Sequence, residues 1–271
     1  MRRSRFERSG VSCAIDLQIA LGQTLTCAVT IDFHDTLFIC DDWFALEVAD
    51  LPAKFLDWQS ARDDVPVDDD LRRRITTEYR ALRRSIIKSG VEIDATENVL
   101  RVCSALGIYP NRDEVESAVH QLMYETLASA YPRPGAVALM RTLNAAGIPL
   151  GIVSNAIYQP FLEWAVEASG MSGLFNSVLT SARSGYYKSR PEIYWQAAKE
   201  LGVAPEAVIH IGDSPRFDVA SAARAGMRTV WLDLANEAAG DCVADLTVTH
   251  LADLAPILFD SFQLRRCARH D

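Results

Sequence analysis

The chain of 271 residues is 49% hydrophobic and 23% charged, which suits one large domain or a core carrying a smaller insert and excludes collagen-like, low-complexity and disordered chains. Its formal charge of −9 argues against a broad basic surface for nucleic acid, since duplex binding rests on neutralising phosphates, and leaves room for a small anion neutralised by a metal. No run reaches the roughly 18 consecutive apolar residues of a membrane span, so no membrane partner is expected.

Residues 1–26 read as a leader. Arg2, Arg3, Arg5 and Arg8 resemble the basic start of a signal peptide, but Asp16, Gln18 and Gln23 interrupt the apolar stretch that would have to follow. Six cysteines (Cys13, Cys27, Cys40, Cys103, Cys242, Cys267) are scattered without a C-x-x-C pair, which suggests neither a zinc site nor a disulfide scaffold and points to a reducing cytoplasm.

Residues 27–31 (CAVTI) form the first clear strand, ending abruptly at Asp32. From 41 to 131, apolar residues recur at helical spacing among many charges, with breaks at Pro52, Pro66, Gly90 and Pro110; about four helices are expected there. Its basic run, Arg72, Arg73, Arg74, Arg80, Arg83 and Arg84, surrounds most of a helix and reads as a solvated face paired with acids such as Asp68 to Asp70. Trp43, Phe44, Phe55 and Trp58 read as core of the insert.

Beyond Pro134, helices and strands alternate. Residues 135–146, 158–168, 191–201 and 218–225 read as helices, and 148–153, 177–180, 208–211 and 229–232 as strands. Single helices between strands imply a parallel sheet with its ligands at the carboxyl ends of the strands. The expected class is α/β: a Rossmann-like core of residues 27–40 and 132–260, a helical cap of residues 41–131, and a C-terminal tail of residues 261–271 that is polar and frayed from Arg265 on.

Three strands end in polar clusters: Asp32 with Asp35, Ser154 with Asn155, and Asp213 with Ser214 and Asp218. A parallel sheet brings such ends to one edge. A carboxylate at a strand end can attack phosphorus as a nucleophile, and a second carboxylate can help hold a hard divalent cation. In isolation Asp32 reads as a turn acid, Ser154-Asn155 as a turn, Lys188 as a loop cation and Asp218 as a helix cap.

Together these residues resemble the haloacid dehalogenase-like hydrolase superfamily, from residue 27 to about 258. The resemblance rests on four ordered motifs: Asp32-Phe33-His34-Asp35-Thr36-Leu37; Val153-Ser154-Asn155; Lys188 within Gly185 to Ile193; and Gly212-Asp213-Ser214-Pro215-Arg216-Phe217-Asp218. It implies that Asp32 is the nucleophile and an Mg2+ ligand, with Asp213 and the His34 backbone carbonyl as further ligands. Ser154 and Asn155 would bind phosphoryl oxygens and Lys188 would offset negative charge, with Thr36 and Asp218 in support. The implied activity is magnesium-dependent hydrolysis of a small phosphorylated metabolite through an aspartyl-phosphate, with the insert closing over the site.

One departure is His34, where phosphatases of this family usually place an aspartate two residues after the nucleophile as acid and base. An imidazole can move protons near neutral pH. Asp35 is not expected to substitute, because adjacent side chains on an extended segment point to opposite sides. Two alternatives stand beside the phosphatase reading. A 2-haloacid dehalogenase also uses an aspartyl ester, but displacing halide from carbon needs no metal-binding acid at Asp213. A catalytically weak phospho-ligand-binding relative would account for His34.

Overall fold

Apolar β-branched segments alternating with single helices produce a parallel sheet because each strand must bury both faces. In the computed structural model, which describes residues 25–64, 66–235, 243–252 and 254–266, that sheet has six strands. They are β1 (Ala28–Ile31), β4 (Leu150–Ser154), β5 (Ser177–Thr180), β6 (Val208–Gly212), β7 (Arg228–Leu232) and β8 (Leu246–Val248), paired in the order β5-β4-β1-β6-β7-β8 and all parallel. The architecture is the Rossmann-like α/β one expected. The arginines of the leader, along with Cys13, Cys242 and Cys267, lie outside the described residues. Among the described cysteines, Cys40 and Cys103 are free and buried, whereas Cys27 is disulfide-bonded, which the scattered spacing did not suggest.

Side chains alternate across the sheet, as a period of two requires. Val29, Ile31, Ile152, Ile209 and Ile211 belong to the larger core, whereas Ala28, Val153, Leu179 and Val208 pack with Ile193, Tyr194 and Ala197 in the other. The chain runs outward from β1 through β4 to β5 and then returns to β6 on the other side of β1. The carboxyl ends of β1 and β6 therefore flank the point where the winding reverses, and there Asp32 follows β1 and Asp213 follows β6. The edge strand β8 and the last helix, Leu254–Ser261, were not expected from sequence.

A two-stranded antiparallel ribbon of β2 (Phe38–Ile39) and β3 (Tyr131–Pro132) joins the entry and exit of the helical insert. Between them lie a short helix α1 (Asp41–Ala45), a π-helical turn (Leu46–Asp50), α2 (Leu51–Asp63), α3 (Asp69–Ser89), α4 (Ala95–Ala105) and α5 (Arg112–Glu125). Trp43 and Phe55 are buried as expected, and Trp43 stacks on Phe161 of the sheet's flanking helix Gln159–Ala168 at 4.8 Å. Phe44 instead is 43% exposed and covers His34.

The basic run on α3 is only partly a solvated face. Arg73 pairs with Asp70 and Arg72 reaches Asp57 on α2, but Arg83 is buried and donates both terminal nitrogens to Glu92, at 2.7 and 3.1 Å. Helix α3 ends at Gly90 with φ 71°, a left-handed value that favours glycine, and a Cβ there would lie 2.4 Å from Arg190 Cγ. The turn aims Gly90 to Glu92 along residues 185–187, where Glu92 N donates to Gly185 O and Tyr187 N to Gly90 O, each at 3.0 Å. Ser181 Oγ also donates to Glu92. The insert is thus tied directly to the segment that leads into Lys188.

Beside this seam lies Glu47, 1% exposed, with one carboxyl oxygen lacking a hydrogen-bond partner. Burial raises its pKa to about 8 despite nearby Arg83, so the folded protein holds a proton there that the unfolded chain releases near 4.5. Stability contributed at this site therefore falls as pH rises from about 4.5 to about 8, by up to about 1.4 kcal/mol per pH unit. Glu47→Gln is expected to flatten that slope, narrowing the difference in Tm between pH 5 and pH 8; an unchanged difference in thermal melts would show that Glu47 is ionised in the folded state.

Candidate active site

Asp32, Ser154 and Asp213 each sit where an apolar strand ends. Asp32 leaves β1 with its N–H bonded to Ile211 O at 2.8 Å and its side chain buried. Thr36 returns from the following turn and donates to Asp213 Oδ1 at 3.1 Å, while Trp231 Nε1 donates to Asp213 O at 2.9 Å. From the loop after the short helix Ser181–Ser184, Lys188 reaches back so that Nζ lies 2.5 Å from Asp32 Oδ1 and also contacts Asp218 Oδ1. Asn155 Oδ1 accepts from Lys188 N at 2.7 Å, so the residue after β4 fixes the lysine's backbone. Ser154, 3% exposed, closes β4 beside it.

Asp218 was read as a cap for a helix over residues 218–225. It lies instead inside a π-helical segment, Pro215–Ala220, whose N-cap is Ser214, and the α-helix Ser221–Arg224 follows. Ser214 Oγ accepts from Phe217 N, and Asp218 Oδ2 accepts from Ser214 N at 2.9 Å, a reciprocal arrangement related to a capping box. This geometry turns the carboxylate inward over Gly212 to meet Lys188.

Burial opposes ionisation of Asp218, but Lys188 and the His210 N–H outweigh it and hold its pKa at about 2. Burial acts against the Lys188 ammonium as well, yet Asp218 and Asp32 push its pKa up. One ammonium does not serve every carboxylate. Burial raises the Asp32 pKa against the pull of Lys188, with Asp218 and Asp213 adding repulsion, and raises that of Asp213 to about 6. Oxygens of Asp32, Asp213 and Asp218 lie within 4.8 Å of one another. With all three carboxylates ionised, one ammonium would leave an excess of two negative charges, which a hard divalent cation bound by oxygen would offset.

A family model for the haloacid dehalogenase-like hydrolases matches residues 28–226, spanning all these positions. The chain belongs to the haloacid dehalogenase-like hydrolases. Similar proteins of this family include an (S)-2-haloacid dehalogenase of Pseudomonas putida, 28% identical over 195 residues, covering 70% of this chain and 82% of that protein. A glyceraldehyde 3-phosphate phosphatase of Methanopyrus kandleri is 28% identical over 169 residues, covering 54% and 71% respectively. The crystal structure of a phosphatase of this family from Thermococcus onnurineus shares the fold, with TM-score 0.61 at 22% identity over 86% of this chain and 98% of that one.

The turn after Asp32 departs from the extended segment expected. Asp35 has φ 59°, so the segment is not extended, and the expectation that His34 and Asp35 point apart fails. His34 Nδ1 lies 3.5 Å from Asp35 Oδ2, its Nε2 lies 3.6 Å from Asp41 Oδ1, and Arg133 donates to Asp35 Oδ1 at 3.1 Å. The imidazole stacks on Phe44 at 4.1 Å, and its Nε2 has no hydrogen-bond partner. Burial lowers the His34 pKa more than Asp35 and Asp41 raise it.

One residue escaped sequence reasoning. His210 is fully buried at the centre of β6, where Nε2 lies 3.1 Å from Asp218 Oδ1 and Nδ1 lies 2.9 Å from Thr30 Oγ1 on paired β1. Burial keeps its pKa low, so the neutral ring donates through Nε2 to Asp218 and accepts from Thr30. The signal was present as a lone polar residue between Ile209 and Ile211.

Gly212 is required at the end of this strand, since a Cβ there would lie 2.2 Å from Asp218 Cγ. Gly212→Ala must displace the carboxylate that holds Lys188. Turnover is expected to fall by about 100-fold, the scale for ångström misplacement of reacting groups, while circular dichroism stays unchanged. Full activity in steady-state assays of this variant would mean that the Asp218 contact with Lys188 is dispensable.

Proposed function

We propose that the protein is a magnesium-dependent phosphohydrolase of small phosphorylated metabolites, acting through an aspartyl-phosphate on Asp32. The observation that carries this reading is the surplus of carboxylate at Asp32, Asp213 and Asp218 around a single ammonium. Displacement of halide from carbon has no use for that surplus, whereas attack on a phosphate dianion by a carboxylate requires charge compensation. Held by Asp32, Asp213 and the His34 backbone carbonyl, Mg2+ would supply that positive charge beside the transferring phosphoryl group.

The chain's own residues do the rest. An Asp32 oxygen forms the bond to phosphorus as the bond to the leaving oxygen breaks, and that oxygen takes a proton. His34 Nε2, 3.6 Å from Asp41 Oδ1 but without a hydrogen-bond partner, is the proton donor in this reading. Water then attacks the phosphoryl group, returns a proton to the imidazole and releases phosphate with Asp32 free again. Ser154 and the Asn155 amide donate hydrogen bonds to phosphoryl oxygens, and Lys188 offsets charge on nucleophile and phosphate.

The similarity to an (S)-2-haloacid dehalogenase supports a second reading, hydrolysis of a 2-haloacid by the same nucleophile. Assays of phosphate esters and 2-chloropropionate, with and without Mg2+, separate the two. Metal-dependent phosphate release, abolished by Asp32→Asn, is expected; metal-independent halide release would overturn the phosphatase reading.

The role of His34 has its own signature. The imidazolium donor is lost as pH rises through a pKa that burial holds below 6.5, so alkyl phosphate turnover should fall across the acidic side of neutrality. Nitrophenyl phosphate, whose leaving group departs without a proton, should respond less. His34→Ala should harm alkyl esters far more than nitrophenyl phosphate, and His34→Asp should restore them. Equal effects across leaving groups would remove His34 from proton transfer.

A further inference from the structure

Between the insert and the core lies a cleft of about 510 Å3, lined by Arg84, Ile87, Lys88 and Ser89 of α3 and by Ser189, Arg190 and Arg216 of the core loops. Its wall holds four cations and no acid, on a chain whose formal charge is −9. Elsewhere on α3, Arg72, Arg73 and Arg83 each have a carboxylate partner, whereas Arg74 and Arg80 stand without an ion pair among the described residues, outside this lining. Of the four cations here, only Arg190 is paired, to Glu192 at 2.5 Å, and among the described residues no ion pair engages Arg84, Lys88 or Arg216. Arg84 and Lys88 are four residues apart on one helix, where like charges repel, and Arg190 and Arg216 face them from the core. An anion in the cleft would relieve that repulsion.

The cleft shares two loops with the candidate site. Ser189 follows Lys188 directly, and Arg216 lies three residues beyond Asp213, so the two loops that present the lysine and the second carboxylate also supply this wall. Its lining indicates what fits. No aromatic ring offers a stacking surface, Ile87 is the only apolar side chain, and two serines add neutral hydrogen-bond donors to the cations. That chemistry suits a compact carboxylate or phosphate and offers little to a nucleobase or an acyl chain. The volume is within the range of small-molecule sites.

We infer that this cleft holds a second anionic group of the substrate, so that the preferred phosphate ester is a phosphorylated carboxylic acid or a bisphosphate rather than the monophosphate of a neutral alcohol. This rests on the phosphohydrolase reading, which places the transferring phosphoryl group at Asp32. The cations would then act on specificity: binding energy from the remote anion positions the ester for attack.

The test compares matched substrates, 3-phosphoglycerate with glycerol 3-phosphate and fructose 1,6-bisphosphate with fructose 6-phosphate, in the parent and in the double variant Lys88→Gln, Arg216→Gln. The parent should favour the member with the second anion by about tenfold or more in kcat/KM, and the double variant should bring that ratio close to one. A ratio near one in the parent, or one that the variant leaves unchanged, overturns the inference; a structural defect would lower both members together and keep the ratio. A binding measurement separates this from the catalytic proposal. In metal-free Asp32→Asn protein, calorimetry with inorganic pyrophosphate and with orthophosphate should show a preference for pyrophosphate that the Lys88→Gln, Arg216→Gln changes abolish. If no ester is turned over but that preference exists and is lost in the variant, the anion site stands and the phosphohydrolase reading fails. If esters are turned over but neither the substrate ratio nor the pyrophosphate preference responds to the variant, the anion site fails alone.

Discussion

The Lys188 ammonium, buried and shared between Asp32 and Asp218, is the contact on which the arrangement of the site depends. Burying a charge is tolerable only when it is paired and hydrogen-bonded, and each neighbouring feature serves that condition. Asn155 holds the lysine backbone, Ser214 N and the His210 ring hold Asp218, and Thr30 fixes the His210 tautomer from the adjoining strand. Gly212 leaves the space into which the Asp218 carboxylate turns. The chain Thr30, His210, Asp218, Lys188, Asp32 runs across β6 and β1, so the strand pairing that builds the fold also positions the Asp32 carboxylate.

The helical insert shares this constraint. Its segment Gly90 to Glu92 pairs with residues 185–187, immediately before Lys188, and the buried Arg83 side chain fastens that segment through Glu92 to Ser181. Any displacement of the insert relative to the sheet must break or carry this seam. The same turn at Gly90 places α3 opposite Arg190 and Arg216, which creates the basic cleft. Cation placement in the cleft and lysine placement in the site are thus consequences of one junction.

Much of this was legible in the chain because strand ends carry a local signal. Apolar runs that stop at Asp32, Ser154 and Asp213 announce a parallel sheet, and its winding dictates that those residues meet at one edge. What escaped was set by tertiary position. Arg83 looks like its neighbours in a basic run, and only the path of residues 90–92 makes it the buried one. Asp218 looks like a cap because a π-helical segment has no distinct sequence period, and Asp35 was placed on an extended segment because its left-handed backbone is a property of the turn. β8 escaped because Leu246–Val248 is a half-exposed edge strand without the apolar run of the interior ones. His210 offered a clue in its isolation among apolar residues, but its partners lie on β1 and in the next loop.

In the proposed reaction Asp32, held beside Lys188 and within the carboxylate cluster, bonds covalently to phosphorus. A single turnover of a radiolabelled phosphate ester with excess enzyme and Mg2+, quenched in acid within the first half-life, tests it most directly. Label is expected on the peptide containing Asp32, stable in acid and lost in base, and absent in Asp32→Asn. Phosphate release with no label on the chain at any time would contradict it.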